Sequence, residues 1–368
     1  MMHIGIDARL TYYRTGGIST YIIRLVEALE RLDSVNRYTV FHSRKMRESL
    51  TRRFQAASLW TPSHHRIERY ALSVELMPRA LDVFHTTDFI PPLFGARRHV
   101  ITVHDLTFLH YPQFLTAESR HYYNDQIHYA VHHADHILTD SAASKRDMIS
   151  MLGVPAEKIT VHLLGVDESF KPLPAETVDH YRRALELPES YFLFVGTFEP
   201  RKNISGLVEA YRALLAAHPD APPLVLAGRM GWNFDEVRAK IERHNLGDHL
   251  LWREAIPQDA MPALYNAAVA LVTPSFYEGF GFPALEAMAS GTVPIVSNVS
   301  SLPEVVGAVG LQVTPDDQAA LTKAMQQALT DESWRQQQQA AGLERAATFT
   351  WENTAQIALA AYTASSVN

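Results

Sequence analysis

Short apolar runs separated by stretches of helical period recur along nearly the whole chain, and this alternation constrains the fold more than any other feature. HIGIDA (3–8) is short and apolar enough for a buried strand, and a Gly-containing turn leads from it into the amphipathic helix ISTYIIRLVEALERL (18–32). YTVFH (38–42), HRIERYAL (65–72), DVFH (82–85) and HVITVH (99–104) read as further central strands. SRHYYNDQIHYAVHHA (119–134) reads as a helix and HILTD (136–140) as a strand, with Ser141 capping a helix over AASKRDMISML. ITVHLLG (159–165) closes this half, and DESFKPLPAE (167–176), with two prolines, is the linker candidate.

The alternation then resumes. YFLFVG (191–196), PLVLAG (223–228), HLLWRE (249–254), VALVTP (269–274) and VPIVS (293–297) read as strands, with helices starting at Ile204, Asp235 and Asp259. The tail from Asp316 is helical, and WENTAQIALAAY (351–362) has an apolar face suited to packing on another domain. Strands alternating with helices form parallel sheets covered on both faces. The expected class is therefore α/β, as two Rossmann-like domains whose sheets face across a cleft at the carboxyl ends of their strands.

Composition narrows the function. The 368 residues are 47% apolar, enough for two cores, and contain no cysteine, which removes disulfides and thiol chemistry. A net charge of −7 argues against nucleic acid as the main partner. Residues 1–170 carry 19 Lys/Arg against 18 Asp/Glu and hold 14 of the 18 histidines, so the acidity lies in the second half. MMHIGIDARL has neither the basic start nor the apolar core of a signal peptide, and no run approaches about 18 apolar residues. The expected location is the cytoplasm. RKMRESLTRRF (44–54) is a basic amphipathic segment, read first as a solvated surface helix and second as a contact with anionic lipid at the inner face of a membrane.

The apolar segment PSFYEGFGFPALEAMASGTVPIV (274–296) holds two acids, Glu278 and Glu286, around a Gly-Phe-Gly-Phe-Pro loop. Acids in apolar surroundings are costly unless they are paired or bind something. Pro283 suits the first turn of a helix that Gly291 can end, so Phe280 and Gly281 stand at a helix N-terminus, where a phosphate is favoured. Two acceptors beside an anion site suit a hydroxyl-rich phosphate ester; a turn with two surface glutamates is the equally weighted alternative. FEPRKNISGL (198–207) sets Arg201 and Lys202 at the end of a strand, placed to neutralise a diphosphate. Gly16 and Gly17 in YRTGGISTY let the backbone approach a ligand, although the dinucleotide fingerprint and the P-loop are both absent. His104, in VHDLTF, ends a strand and is a candidate donor to substrate. HHADH (132–136) is unconvincing as a metal site, and there is no Asp-x-Asp to hold a divalent ion against a diphosphate. Neither a metal nor a cofactor is expected.

EGFGFPALE, the GTFEPRKN turn, the Gly16–Gly17 loop, the VHD strand end, SKRDMISMLGVPAEKITVHLLGVDESF (144–170) and SSLPEVVG (300–307) together resemble the retaining glycosyltransferases of family 4. The resemblance implies a GT-B fold, with an acceptor domain at 1–170 completed by a returning C-terminal helix (about 351–368) and a nucleotide-sugar domain at 171–350. It implies that Glu278 binds donor-sugar hydroxyls, Phe280 and Gly281 approach sugar and phosphate, and Glu286 binds the ribose. Arg201 and Lys202 would hold the diphosphate, Gly16 and Gly17 would approach the phosphates, and His104 would contact the sugar. Glu278→Ala and Lys202→Ala are expected to lose turnover while staying folded. The IGIDAR start and HDLTFLHYPQF are similar to mannosyltransferases that use GDP-mannose with a glycan or lipid-linked glycan acceptor. The alternatives are a UDP-sugar donor or a non-catalytic subunit that binds nucleotide sugar, against which the presence of Glu278, Glu286, Arg201 and Lys202 together counts. In TDSAAS (139–144), Asp140 and Ala142 stand where the family often has Val and Glu, which bears on the acceptor.

Overall fold

A computed structural model describes residues 1–13, 16–114, 117–231, 238–239 and 241–364. The chain divides into two compact units, Met1–Gly165 with Thr350–Asn368, and Val166–Phe349.

The first unit is a seven-stranded sheet, β1 (His3–Asp7), β2 (Arg37–Ser43), β3 (Gln55–Leu59), β4 (Leu81–Thr86), β5 (Ala96–Thr102), β6 (His136–Thr139) and β7 (Ile159–Val161), in the order 3-2-1-4-5-6-7. Every pairing is parallel. Helix Gly17–Leu32 buries Tyr21, Ile22, Leu25, Val26 and Leu29, the spacing of one helical face. Ser141 caps helix Ala142–Leu152 by accepting from the Ser144 amide, and Gly153 in the left-handed region ends it. The final helix, Trp351–Thr363, buries Ala355, Ala358, Ala361 and Tyr362 within this unit.

The second unit repeats the plan with β8 (Tyr191–Val195), β9 (Leu224–Ala227), β10 (Leu250–Arg253), β11 (Ala268–Thr273), β12 (Val293–Ser297) and β13 (Leu311–Val313), in the order 10-9-8-11-12-13. Its pairings are also all parallel. Its core joins Phe192, Phe194, Leu224, Leu226, Val272 and Ile295 of the sheet to the helices Ile204–Ala217 and Gln318–Thr330. In both orders the direction of winding reverses beside the first strand, so loops diverge there at the strands' carboxyl ends.

Three local expectations fail or fall outside. HRIERYAL is not a central strand: helix Glu68–Leu76 starts within it, and its buried side chains Glu68, Leu72 and Leu76 follow a period of four. The strand at this place is β3, QAASL, an edge strand exposed along most of its length, which needs no apolar run. Residues 44–54 form turns and bends instead of a helix, tied down by Glu30, whose Oε1 accepts from the amides of Arg52 and Arg53. The helix expected from Asp235 begins outside the described residues.

Candidate active site

In the second unit the polar side chains gather where β8, β11 and β12 end. After β8 the chain passes Gly196, whose φ of +156° and close approach to Gly228 leave no room for a side chain on the latter. A 3-10 turn, Pro200–Lys202, follows, and Asn203 at φ +55° caps the next helix through the Gly206 amide. The Asn203 amide group donates to the carbonyls of Pro274 (3.2 Å) and Pro315 (2.8 Å), fixing this turn to the loops after β11 and β13. Arg201 and Lys202 are thereby fixed in place.

Lys202 Nζ donates to both oxygens of Glu278 at 2.6 and 2.7 Å. Arg201 Nη1 reaches Glu278 Oε2 at 3.2 Å and its Nε donates to Glu199 at 2.8 Å. The Ser275 hydroxyl adds a bond of 2.7 Å to Glu278 Oε1. Lys202 and Glu278 are both buried. Burial by itself would raise the Glu278 carboxyl; Lys202 and Arg201 outweigh it and hold it at about 2. The backbone of the Glu278 loop is fixed by Ser301, whose hydroxyl donates to the carbonyls of Glu278 and Phe280 at 2.8 and 2.7 Å. Gly281, at φ +112°, precedes helix Phe282–Ala289, with Pro283 in its first turn.

Glu286 lies on that helix but in different company. Its Oε2 accepts from the buried Tyr265 hydroxyl at 2.7 Å. Burial pushes its carboxyl up to about 7, with Asp167 adding to the effect and Tyr265 opposing it. Among the described residues the two acids share no hydrogen-bond partner: the spacing of eight brings them to one loop and helix, not to one cluster.

The first unit also concentrates polar groups at strand ends. Gly16 has φ +135°, which only glycine adopts readily, with open space where a side chain would stand, and Gly17 begins the helix. The His104 ring is held at both nitrogens, Nδ1 by Asp140 at 2.7 Å and Nε2 by the Thr87 carbonyl at 3.0 Å. Both partners only accept, so both nitrogens donate and the ring is an imidazolium. Burial opposes that charge, yet Asp140 raises the group to about 9. The other Asp140 oxygen lies 3.4 Å from Nε2 of the fully buried His162. Tyr21 packs edge-on to the His104 and His162 rings, with centroids at 5.1 and 5.4 Å. In the same unit, fully buried Arg9 spans Asp7 and Glu68, each at 2.6 Å from Nη2.

The structure thus brings Arg201, Lys202 and Glu278 into one cluster, seats Glu286 apart from it, and occupies both His104 nitrogens. Ser275, Tyr265 and His162 are additions, and Asp140, singled out in the sequence for the acceptor, is found holding His104. Ser275 stands three residues before Glu278 in the same loop, a signal available locally; Tyr265 and His162 carry no local signature. His132 and His136 sit on a helix and a strand, bonded to the His128 carbonyl and Thr160, and no group of three His, Asp or Glu is placed for a metal among the described residues. No described helix is long and apolar enough to cross a membrane.

Residues 15–170 match the family described as Glycosyltransferase Family 4, and residues 178–345 match Glycosyl transferases group 1. The chain is 33% identical over 368 residues to the O-antigen chain mannosyltransferase B of Escherichia coli, covering 95% of this chain and 96% of the relative. Among solved structures, sucrose-phosphate synthase from Thermosynechococcus elongatus aligns with a TM-score of 0.78 at 23% identity over 98% of each chain. HepE from Anabaena, in complex with UDP and glucose, aligns with a TM-score of 0.78 at 16% identity, over 99% of this chain and all of that one. These likenesses show the GT-B fold.

Proposed function

The chain belongs to the family 4 glycosyltransferases, and from that membership we propose that it moves mannose from GDP-mannose to a hydroxyl of a glycan or lipid-linked glycan, with retention of configuration. The cluster of the buried pair Lys202 and Glu278 with the partly buried Arg201 supports this reading best. Within the chain the two cations are balanced by Glu199 and Glu278. A diphosphate competes with those carboxylates for the cations and frees Glu278 to accept from the donor's hydroxyls. Arg201 and Lys202, fixed beforehand by the chain, then stabilise the departing diphosphate, in the role a divalent ion would otherwise take. Phe280 and Gly281 lead into the N-terminus of helix Phe282–Ala289, which suits the same phosphates. No described side chain is an evident nucleophile, so the acceptor hydroxyl enters on the face the diphosphate leaves and passes its proton to a phosphate oxygen.

The second unit carries the donor in this reading and the first the acceptor, with Gly16 and Gly17 available to phosphate and the His104 imidazolium supplying fixed positive charge. Work against the inner face of a membrane fits a lipid-linked acceptor. The mannosyl donor follows the relative that spans the chain; the UDP-bound neighbour keeps a UDP-sugar as the second reading.

A thermal-shift panel of GDP, UDP, ADP and their sugars, with and without EDTA, tests the donor. A ligand at 100 times its dissociation constant adds about 2.7 kcal/mol. A GDP-selective shift that survives EDTA is expected; a UDP-selective shift replaces the donor, and no shift with any nucleotide overturns the reading. Glu286 adds a pH test of the same site. Assigned to the ribose hydroxyls, it accepts best when ionised, so donor affinity should rise with pH through about 7. Glu286→Gln should bind more weakly and lose that dependence, as measured by calorimetric titration across the range; a pH dependence unchanged in the variant removes Glu286 from the ribose.

A further inference from the structure

Helix Glu68–Leu76 has two apolar faces. Leu72 and Leu76 enter the core of the first unit. Ile67, Tyr70, Val74 and Met77, spaced three, four and three residues apart, form a stripe on the opposite face and are between 57% and 60% exposed. Two more large side chains extend it on either side. The Trp60 amide donates to Glu75 Oε2 at 2.7 Å, which sets Trp60, 71% exposed, beside the helix. The Phe94 amide lies 3.3 Å from Ser73 Oγ, which sets Phe94, 46% exposed, on the other flank. Six of the large exposed apolar side chains of this protein therefore lie on this helix or on segments bonded to it, and exposed apolar side chains gathered in this way mark an interaction site.

Its border is basic. Residues 44–79 hold eight Arg/Lys against three Glu in a chain of net charge −7. Of the three acids, Glu68 is buried against Arg9 and Glu75 is bound to the backbone of Trp60 and Thr61, so little negative charge faces outward. Arg44 stacks over Trp60, 4.4 Å from the ring centroid, and exposed Arg66 and Arg79 bracket the helix. Arg52 and Arg53, in the turns at 44–54 that lead into β3, are exposed as well.

We propose that this face docks the enzyme on an anionic phospholipid bilayer, with Trp60, Tyr70 and the aliphatic stripe in the headgroup region and the arginines on lipid phosphates. Charge decides among occupants: a second copy of a chain with net charge −7 offers this face no general attraction, whereas an anionic leaflet gains from each arginine and accepts an apolar stripe with aromatic edges. The assignment deepens the membrane-facing reading above, and its readout needs no nucleotide.

Flotation of the full chain with vesicles of phosphatidylcholine, alone or mixed with phosphatidylglycerol, tests it. Capture by the mixed vesicles and not by phosphatidylcholine alone is expected, with Trp60 emission moving to shorter wavelength; Trp60→Phe should remove that shift. Val74→Asp with Met77→Asp, both exposed and so harmless to folding, should lower vesicle binding by about tenfold or more at an unchanged melting temperature. Arg44→Glu should cost roughly fivefold or more. No capture, equal capture by both vesicle types, or capture indifferent to these substitutions overturns the proposal. So does a dimer in light scattering that Val74→Asp with Met77→Asp dissolves, which would assign the face to a second copy. Failure here leaves the nucleotide shifts untouched, and failure of those shifts leaves the docking intact.

Discussion

Glu278→Ala is expected to lower both turnover and the melting temperature of the protein. From spacing alone Glu278 is an acceptor whose loss spares the fold; its burial against Lys202 changes that expectation. Removing one partner of a buried ion pair strands the other charge, at a cost of about 3 kcal/mol or more. For a unit of the size of Val166–Phe349 that corresponds to a fall of roughly 6–12 °C. Turnover should drop by about 100-fold or more, the usual effect of disturbing groups that stabilise a leaving charge. Two further variants separate the effects. Glu278→Gln keeps the shape and the Ser275 contact but not the charge, and should be intermediate in stability and still inactive. Glu278→Leu combined with Lys202→Met replaces the pair by apolar side chains and should recover most of the lost melting temperature without recovering turnover. Calorimetry and a donor-hydrolysis assay read both quantities. Glu278→Ala at wild-type melting temperature and wild-type turnover would leave the cluster with neither role.

The parts of this site that a sequence displays are those set by local geometry. The Gly-Phe-Gly-Phe-Pro loop, the capping Asn203 and the Arg201–Lys202 turn are each defined within about ten residues, and so are the central strands, whose apolar runs admit no other use. Contacts across the sheet are different. The bonds from Lys202 to Glu278 span 76 residues and that from Tyr265 to Glu286 spans 21, and no spacing rule announces either. The same limit explains helix Glu68–Leu76. With Leu72 facing the core and Tyr70 and Val74 facing outward, its apolar residues occur at too many phases for one clean period, and the segment passes for a strand. The histidines show the limit most plainly: fourteen in the first 170 residues look alike in sequence. Only the fold separates His85, buried, forced neutral and bonded to Thr102 and Tyr362, from His104, partly buried and charged.

That separation depends on Asp140, and Asp140→Asn is expected to change how stability varies with pH. In the wild type, burial disfavours a charged His104, but the carboxylate at 2.7 Å outweighs it and raises the group from 6.5 to about 9. A base whose folded pKa lies above its unfolded value binds protons more tightly when folded. Its contribution is therefore complete below about pH 6.5 and is lost as pH rises through about 9. The size follows from 1.36 kcal/mol per unit, about 3 kcal/mol over that window. At the acid end Asp140 acts with the opposite sign: its own carboxyl is held down, so its contribution disappears as pH falls through its folded value. In the Asp140→Asn variant only Asp88 and the Thr87 carbonyl, the weaker of the raising influences, oppose the desolvation cost, and His104 is expected to be neutral near pH 7. A neutral ring has one N–H, which goes from Nε2 to the Thr87 carbonyl, while the introduced amide can turn its NH2 to donate to Nδ1, so the ring keeps both partners without its charge. Denaturant unfolding at intervals from pH 6 to pH 10 should show the wild type falling through this window while the variant stays nearly flat, the two converging above about pH 9. Histidine side-chain 15N shifts identify the group: both His104 nitrogens protonated at pH 7 in the wild type, one in the variant. If the imidazolium also serves transfer, wild-type turnover falls through the same alkaline limit and the variant is slow near neutrality with that limit gone. Parallel pH curves for the two proteins would show that Asp140 does not hold the proton on His104.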